Sequence, residues 1–213
     1  MASCAGPEEP VRASLPTAER GSVTGTPPRP EPSAVESSSA ENAVAQATNQ
    51  MLAAATGANS PAPPGLLVAA EGDGGALFVW ETADDRFCHG AASTAGATTV
   101  ACTSRPDTPP VGEKPRITRL VAMVATGWNV VFGAEHETVE SVTCNGVPVP
   151  VRDVGVLADG RRTIHAIEFP DITVGSVAVK VRRGKRVVTE SLELLSPAMA
   201  VGQDLASCEL AKP

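Results

Sequence analysis

Tyrosine is absent, and four phenylalanines and two tryptophans are the whole aromatic complement of the 213 residues. A core built from this chain must rest on valine, leucine and isoleucine. Exposed rings for stacking on sugars or bases are scarce. No apolar run approaches the ~20 residues that a membrane-spanning helix needs. No basic stretch followed by an apolar one opens the chain, as it would in a secretory signal. Positive charge is in deficit: 17 Lys and Arg stand against 24 Asp and Glu, for a net charge of -7. A nucleic-acid binder would carry the opposite imbalance, so no nucleic-acid partner is expected. The chain also lacks a Gly-x-Ser-x-Gly elbow, a phosphate loop, a His-Glu-x-x-His pair and a dinucleotide fingerprint. Its cysteine spacings match no zinc site, where paired ligands lie a few residues apart. No cofactor and no metal are expected.

What is present is valine, glycine and proline, with 19 each of the last two. The stretch from Ala76 to Cys102 organises the rest. It holds the apolar run Leu77-Phe78-Val79-Trp80, a polar turn from Thr82 to Asp85, then Phe87-Cys88 and a second run over 98–102. As a strand, the first run places Phe78 and Trp80 on one face and Leu77 and Val79 on the other. Further short β-runs are expected over 66–70, 117–125, 127–133, 139–144, 163–169, 177–182 and 187–195. The turn clusters Glu71 to Gly75, Asp159-Gly160 and Gly184-Lys185 punctuate them. Arg105 to Pro115 reads as a proline-rich crossing from one sheet to another. Asn145-Gly146 fits a two-residue type I′ hairpin, because both central residues need positive φ. Cys144 then faces Val147. Pro148 and Pro150 turn their missing N–H groups outward, so 147–152 is expected at a sheet edge. The fold class expected is all-β: an antiparallel, immunoglobulin-like β-sandwich over 63–196, with a tail over 197–213.

Residues 1–62 read as a disordered linker rich in Pro, Ser and Ala. Residues 40–55 could form a transient helix, with Ser39 as N-cap, Gly57 after its end and Val44, Ala47, Met51 and Ala55 on one face. A lone helix of that length is marginal in water.

Five cysteines remain to be placed: Cys4, Cys88, Cys102, Cys144 and Cys208. Pairing of the strands around Cys88 and Cys102 would bring those two within bridging distance. Cys144 and Cys208 would then pin the tail. Free, buried thiols are the alternative. Met1-Ala2-Ser3-Cys4 resembles the end of a bacterial lipoprotein signal, which would make Cys4 a lipid-attachment site and the chain's one membrane tether. That expectation requires an apolar in-frame extension upstream of Met1.

The order Trp80, Cys88, Cys102, Trp128-Asn129-Val130-Val131-Phe132-Gly133, Val139 to Thr143, Asn145-Gly146 and Gly184-Lys185 resembles small exported proteins of high-GC actinobacteria. The likeness spans residues 66 to 195. It implies a β-sandwich outside the cytoplasm. Its motifs are turn and core positions, and they imply no chemistry.

Candidate functional residues are few. Glu135, His136 and Glu137 hold metal-ligating atoms, but adjacent residues aim them apart. Asp84 and Asp85 at a turn tip diverge for the same reason. His165 shares a strand face with Ile167 and Phe169, and His89 follows Cys88. Lys180, Arg182, Arg183, Lys185 and Arg186 form a basic hairpin tip, which Arg152, Arg161 and Arg162 could join. Arg182, Arg183, Lys185 and Arg186 are its binding candidates, for a polyanion or an acidic protein. The function these readings point to is a non-enzymatic, extracytoplasmic binding or structural module on a flexible tether. Its partner would be an unknown protein or cell-surface ligand. A hydrolase without a recognisable motif, and an intracellular interaction protein with reduced cysteines, are the alternatives.

Overall fold

A computed structural model of the chain describes residues 34–72, 74–107, 116–195 and 205–210, with the backbone alone for 34–40. Helix α1 (Ala34–Ala54) and a 3-10 turn (Gly57–Asn59) come first. Four strands follow: β1 (Leu67–Gly72), β2 (Gly75–Glu81), β3 (Phe87–Ser93) and β4 (Thr98–Cys102). They form an antiparallel meander in the order β1-β2-β3-β4. Next come β5 (Arg116–Val124), β6 (Trp128–Glu135), β7 (Thr138–Cys144), β8 (Val147–Val149), β9 (Arg152–Leu157), β10 (Arg162–Phe169), β11 (Thr173–Arg183), β12 (Arg186–Glu193) and β13 (Ala206–Cys208). These build a second sheet, β5-β6-β10-β9, and a third, β12-β11-β7-β8, with β13 pairing parallel to the start of β11. Taking β5 to β12 as strands A, B, C, C′, D, E, F and G, the two sheets read A-B-E-D and G-F-C-C′. That is the immunoglobulin-like order, and the chain is all-β with a sandwich as expected; the sandwich, however, is built by β5 to β12 alone, and β1 to β4, expected within it, form a separate sheet on its outer face.

Three apolar layers separate the elements. Val130, Phe132 and Ile167 meet Val177, Val179 and Val181 between the second and third sheets. Val131, Ile164 and Ala166, on the opposite face of the second sheet, pack against Leu77 and Val79 of the first. Phe78 and Trp80, on the far face of β2, are covered by Ala47, Met51 and Ala55 of α1. The order of layers is therefore helix, meander, sheet, sheet. This stacking explains why β6 is buried at every position and β2 at all but its last. A strand covered on both faces loses the in-out alternation of a half-exposed one and reads as a continuous apolar run.

Two expectations need correction. Helix α1 lies within the segment read as a linker, and it begins before the 40–55 stretch. Its thin stripe is not idle: Ala47 and Met51 are fully buried against the meander. Gly90 of β3 permits this, since a Cβ there would lie 2.8 Å from Met51 Cε. A helix too weakly amphipathic to stand alone is held by tertiary burial. Residues 1–33, Cys4 among them, lie outside the described residues. Second, residues 147–152 are not one strand. The expected edge ends at Val149, and after Pro150 the chain leaves the third sheet for the second, where β9 begins. β9 itself was not expected. Asp153, Gly155 and a register shift between Ile164 and His165 break its pattern.

The hairpin expectation holds. Asn145 and Gly146 have φ of 52° and 79°, and Cys144 pairs with Val147. β8 lies at the edge of its sheet. Both disulfides form. Cys88 and Cys102 are direct cross-strand partners with Cα atoms 4.0 Å apart. Cys144 and Cys208, 5.0 Å apart, fasten β13 to the end of β7. Neither occupies the inter-sheet B–F position of antibody domains.

Candidate functional site

Most of the sequence candidates are engaged in holding the fold. Glu135 and Glu137 diverge from His136, which has a φ of 57°. Glu135 turns to Arg162, whose Nη2 lies 2.8 Å away with both side chains fully buried. Arg116 also donates to Glu135. Arg162 extends the network to Asp107, donating to its carboxylate at 3.0 Å and its carbonyl at 2.7 Å. Gly133 makes room for this: a Cβ there would lie 2.8 Å from Arg162 Cδ. Glu137 receives Arg183 Nε at 2.6 Å. No group of three or more potential metal ligands occurs among the described residues.

The basic hairpin tip is partly neutralised. Arg182 pairs with Glu140, and Arg183 with Glu137 and Glu190. Lys185 and Arg186 are exposed at the turn. Of the three arginines that could have joined them, Arg162 is buried in the network above and Arg161 faces Asp159. Arg152 lies by the first sheet. Asp84 is tied to Thr82 and Arg86, whose hydrogen bonds hold its carboxyl below the usual range.

His165 stacks on Phe132 with ring centroids 5.3 Å apart. Its Nδ1 lies 2.7 Å from Asp153 Oδ1, though outside linear hydrogen-bond geometry. Burial lowers its pKa, and the Asp153 carboxylate opposes that only in part. Burial lowers His89 as well. Glu81 is pushed the other way, upward, by burial, against the hydrogen bond it accepts from the Ala158 N–H at 2.7 Å.

The concave site lies elsewhere, where the meander stops short of covering the second sheet. Asn129 of β6 and Glu168 of β10 are cross-strand partners there, and Arg152 of β9 faces Ala166 of β10. These positions share the face that carries Val131 and Ile164 farther along, under the meander. Beyond Ala69 and Ala70 of β1 that cover ends, and a cleft of about 600 Å³ opens over the sheet. Thr126 and Gly127, at the β5–β6 turn, line it too.

Its polar groups come from four elements. Arg152 bridges to Glu71 of β1 at 3.1 Å and donates to the Val68 carbonyl, which fixes β1 over the sheet. Glu168 is exposed and accepts from Thr126 Oγ1 at 3.3 Å. Asn129 donates to the Gly127 carbonyl at 2.9 Å. Its Oδ1 is buried and has no hydrogen-bond partner. An orphaned buried acceptor costs about 1–3 kcal/mol. The groups on the floor with capacity left over, Asn129 Oδ1 without a partner and the Glu168 carboxylate with the Thr126 hydroxyl, are both acceptors.

Sequence reasoning missed this cleft. Two signals pointed to it: Asn129 interrupts an apolar strand, and Glu168 sits between Ile167 and Phe169. Neither shows which stretch of sheet lies bare. Comparison with protein-family models, with curated proteins and with solved structures returned no match.

Proposed function

We propose that this chain is a non-enzymatic binding module of an extracytoplasmic, oxidising compartment, and that its ligand is taken up in the cleft beside β1. The observation that carries the reading is the uncovered floor: a stretch of doubly layered sheet left bare, with polar groups from four elements around it. Rigid elements hold such groups more precisely than loops do. Because the groups with capacity left over are acceptors, the ligand brings donors, in the first instance a primary ammonium group. The two disulfides support an oxidising setting. They weigh against the intracellular alternative with reduced cysteines. Secretion, or attachment to a cell surface through Cys4, belongs to the same reading, with the N-terminal segment as tether.

The test is amide NMR of the full chain against a panel of small amines, alcohols and carboxylates. Amines should shift Gly127, Asn129, Ala166 and Glu168 together, and Glu168→Gln should abolish the effect. Carboxylates acting there instead, or a panel that leaves those four amides unmoved, would reject the reading.

A further inference from the structure

Every sheet has two outer strands, and an outer strand exposes a row of unpaired backbone groups that templates further pairing. Most of them here carry a device against it. β8 contains Pro148. β12 carries Arg186, Glu190 and Glu193. β5 carries Arg116 and Arg119 and shifts register before Val121. β9 has Arg152, Asp153 and a register shift. β1 has Glu71 and a shift between Val68 and Ala70. β4 has none of these. It reads Thr98-Thr99-Val100-Ala101-Cys102, its register with β3 is unbroken, and no Asp, Glu, Lys or Arg occurs anywhere from His89 to Ser104.

The register shows which backbone groups are free. Thr103 N–H donates to Phe87 and Ser93 N–H to Ala97, so the odd-numbered positions of β4 face β3 in the alternation of an antiparallel pair. Thr98, Val100 and Cys102 therefore turn their N–H and C=O groups away from β3. Their side chains point to the helix layer, where Val100 and Cys102 are partly buried. Thr99 and Ala101 point the other way and are exposed. Beside Thr99 a shallow groove of about 210 Å³ runs between Ala91 and the end of β5, where Val124 is 60% exposed.

We infer that the free edge of β4 is a homodimer interface, at which two copies of this chain pair β4 antiparallel and join their meanders into one continuous eight-stranded sheet. The occupant is a second copy because the edge suits itself. About a two-fold axis at Val100, each Val100 faces its counterpart and Thr98 faces Cys102 of the other copy. The outward groups then meet in hydrogen-bonding phase. Thr99 comes to lie opposite Ala101, small beside small, and extends the face over Met123 and Val124. A chain of net charge -7 would ordinarily repel its copy. The uncharged stretch from His89 to Ser104 removes like charges from the line of contact, where they would be most costly. This surface is separate from the cleft, and the inference does not depend on the ligand there.

The experiment is the solution mass of the full chain across a wide concentration series, by light scattering or sedimentation. The mass should rise from 21.7 kDa toward twice that value. Val100→Pro removes an outward N–H without touching a bond to β3. Ala101→Lys puts a charge on an exposed side chain of the edge. Each should weaken association at least about tenfold, with an unchanged melting midpoint at concentrations where the parent chain is monomeric, since lysine and proline are the residues that blunt edges. Should the proline variant fold poorly, the lysine variant carries the test. The Val100 amide should also exchange more slowly as concentration rises. A full chain that stays at 21.7 kDa throughout, as expected if the edge serves a foreign peptide or nothing, overturns the inference. So does a dimer that both substitutions leave intact.

Discussion

Glu135→Gln removes one charge from the middle of the fold and leaves the Arg162 guanidinium where it is. Both side chains are wholly inaccessible to solvent. Breaking a buried pair from one side costs about 3–5 kcal/mol, most of it the cost of an uncompensated interior charge. The structure places this case at the low end. Arg162 keeps Asp107, whose side chain is 40% exposed, and Arg116, at 46%, can turn to water. A loss of about 3 kcal/mol is expected, which lowers the melting midpoint of a domain this size by about 6–12 °C. Urea titration followed by tryptophan fluorescence and far-UV circular dichroism reads it directly. The paired change Glu135→Leu with Arg162→Met should recover most of the loss, because apolar packing replaces a buried ion pair at little net cost. If Glu135→Gln costs less than about 1 kcal/mol, the pair is not desolvated as described and the reasoning fails. A double variant less stable than the single one would refute it too.

Gly133→Ala should destabilise through the same network, since the new methyl would meet Arg162 Cδ at 2.8 Å and Cγ at 2.9 Å; pairing it with Arg162→Ala should relieve the clash. Opening Cys88–Cys102, with a separation of 14 residues, should cost about 3 kcal/mol. Opening Cys144–Cys208, with a separation of 64, should cost about 4 kcal/mol, and the order should show in the two Cys→Ser pairs on chemical denaturation. Met51→Ala should cost about 2–5 kcal/mol, as for truncation of a fully buried side chain, and should speed amide exchange in α1 ahead of the sandwich. Burial holds His165 and His89 below the ordinary histidine value of 6.5, so the unfolded chain takes up protons that the native one refuses. Stability should therefore hold above that value and fall as pH drops through it, with His165→Gln flattening the fall in melts from pH 7 to 5.

The strands and their turns could be read from local chemistry. Asn145-Gly146 dictated its hairpin because few other dipeptides accept positive φ at both positions. Pro148 dictated an edge because it has no N–H to donate outward to a further strand. Cys88 and Cys102 were legible as partners once their strands were taken to pair. The valines over 177–181 alternated as one inward face, and the structure buries them that way. The candidate cleft could not be read, because it is a property of layers. Which face of β10 the meander covers, and where that cover ends, depends on contacts between residues far apart in the chain.

Composition and local pattern alone determined an all-β chain with few aromatic rings and valine-rich strands, because backbone geometry and turn chemistry act over a few residues. Only the tertiary structure decided the stacking. It turned a marginal helix into the cover of the first sheet, drew Glu135 and Arg162 into the interior, and left Asn129 and Glu168 on a bare floor. Burial sums contributions from distant segments, and no single stretch of sequence carries that sum.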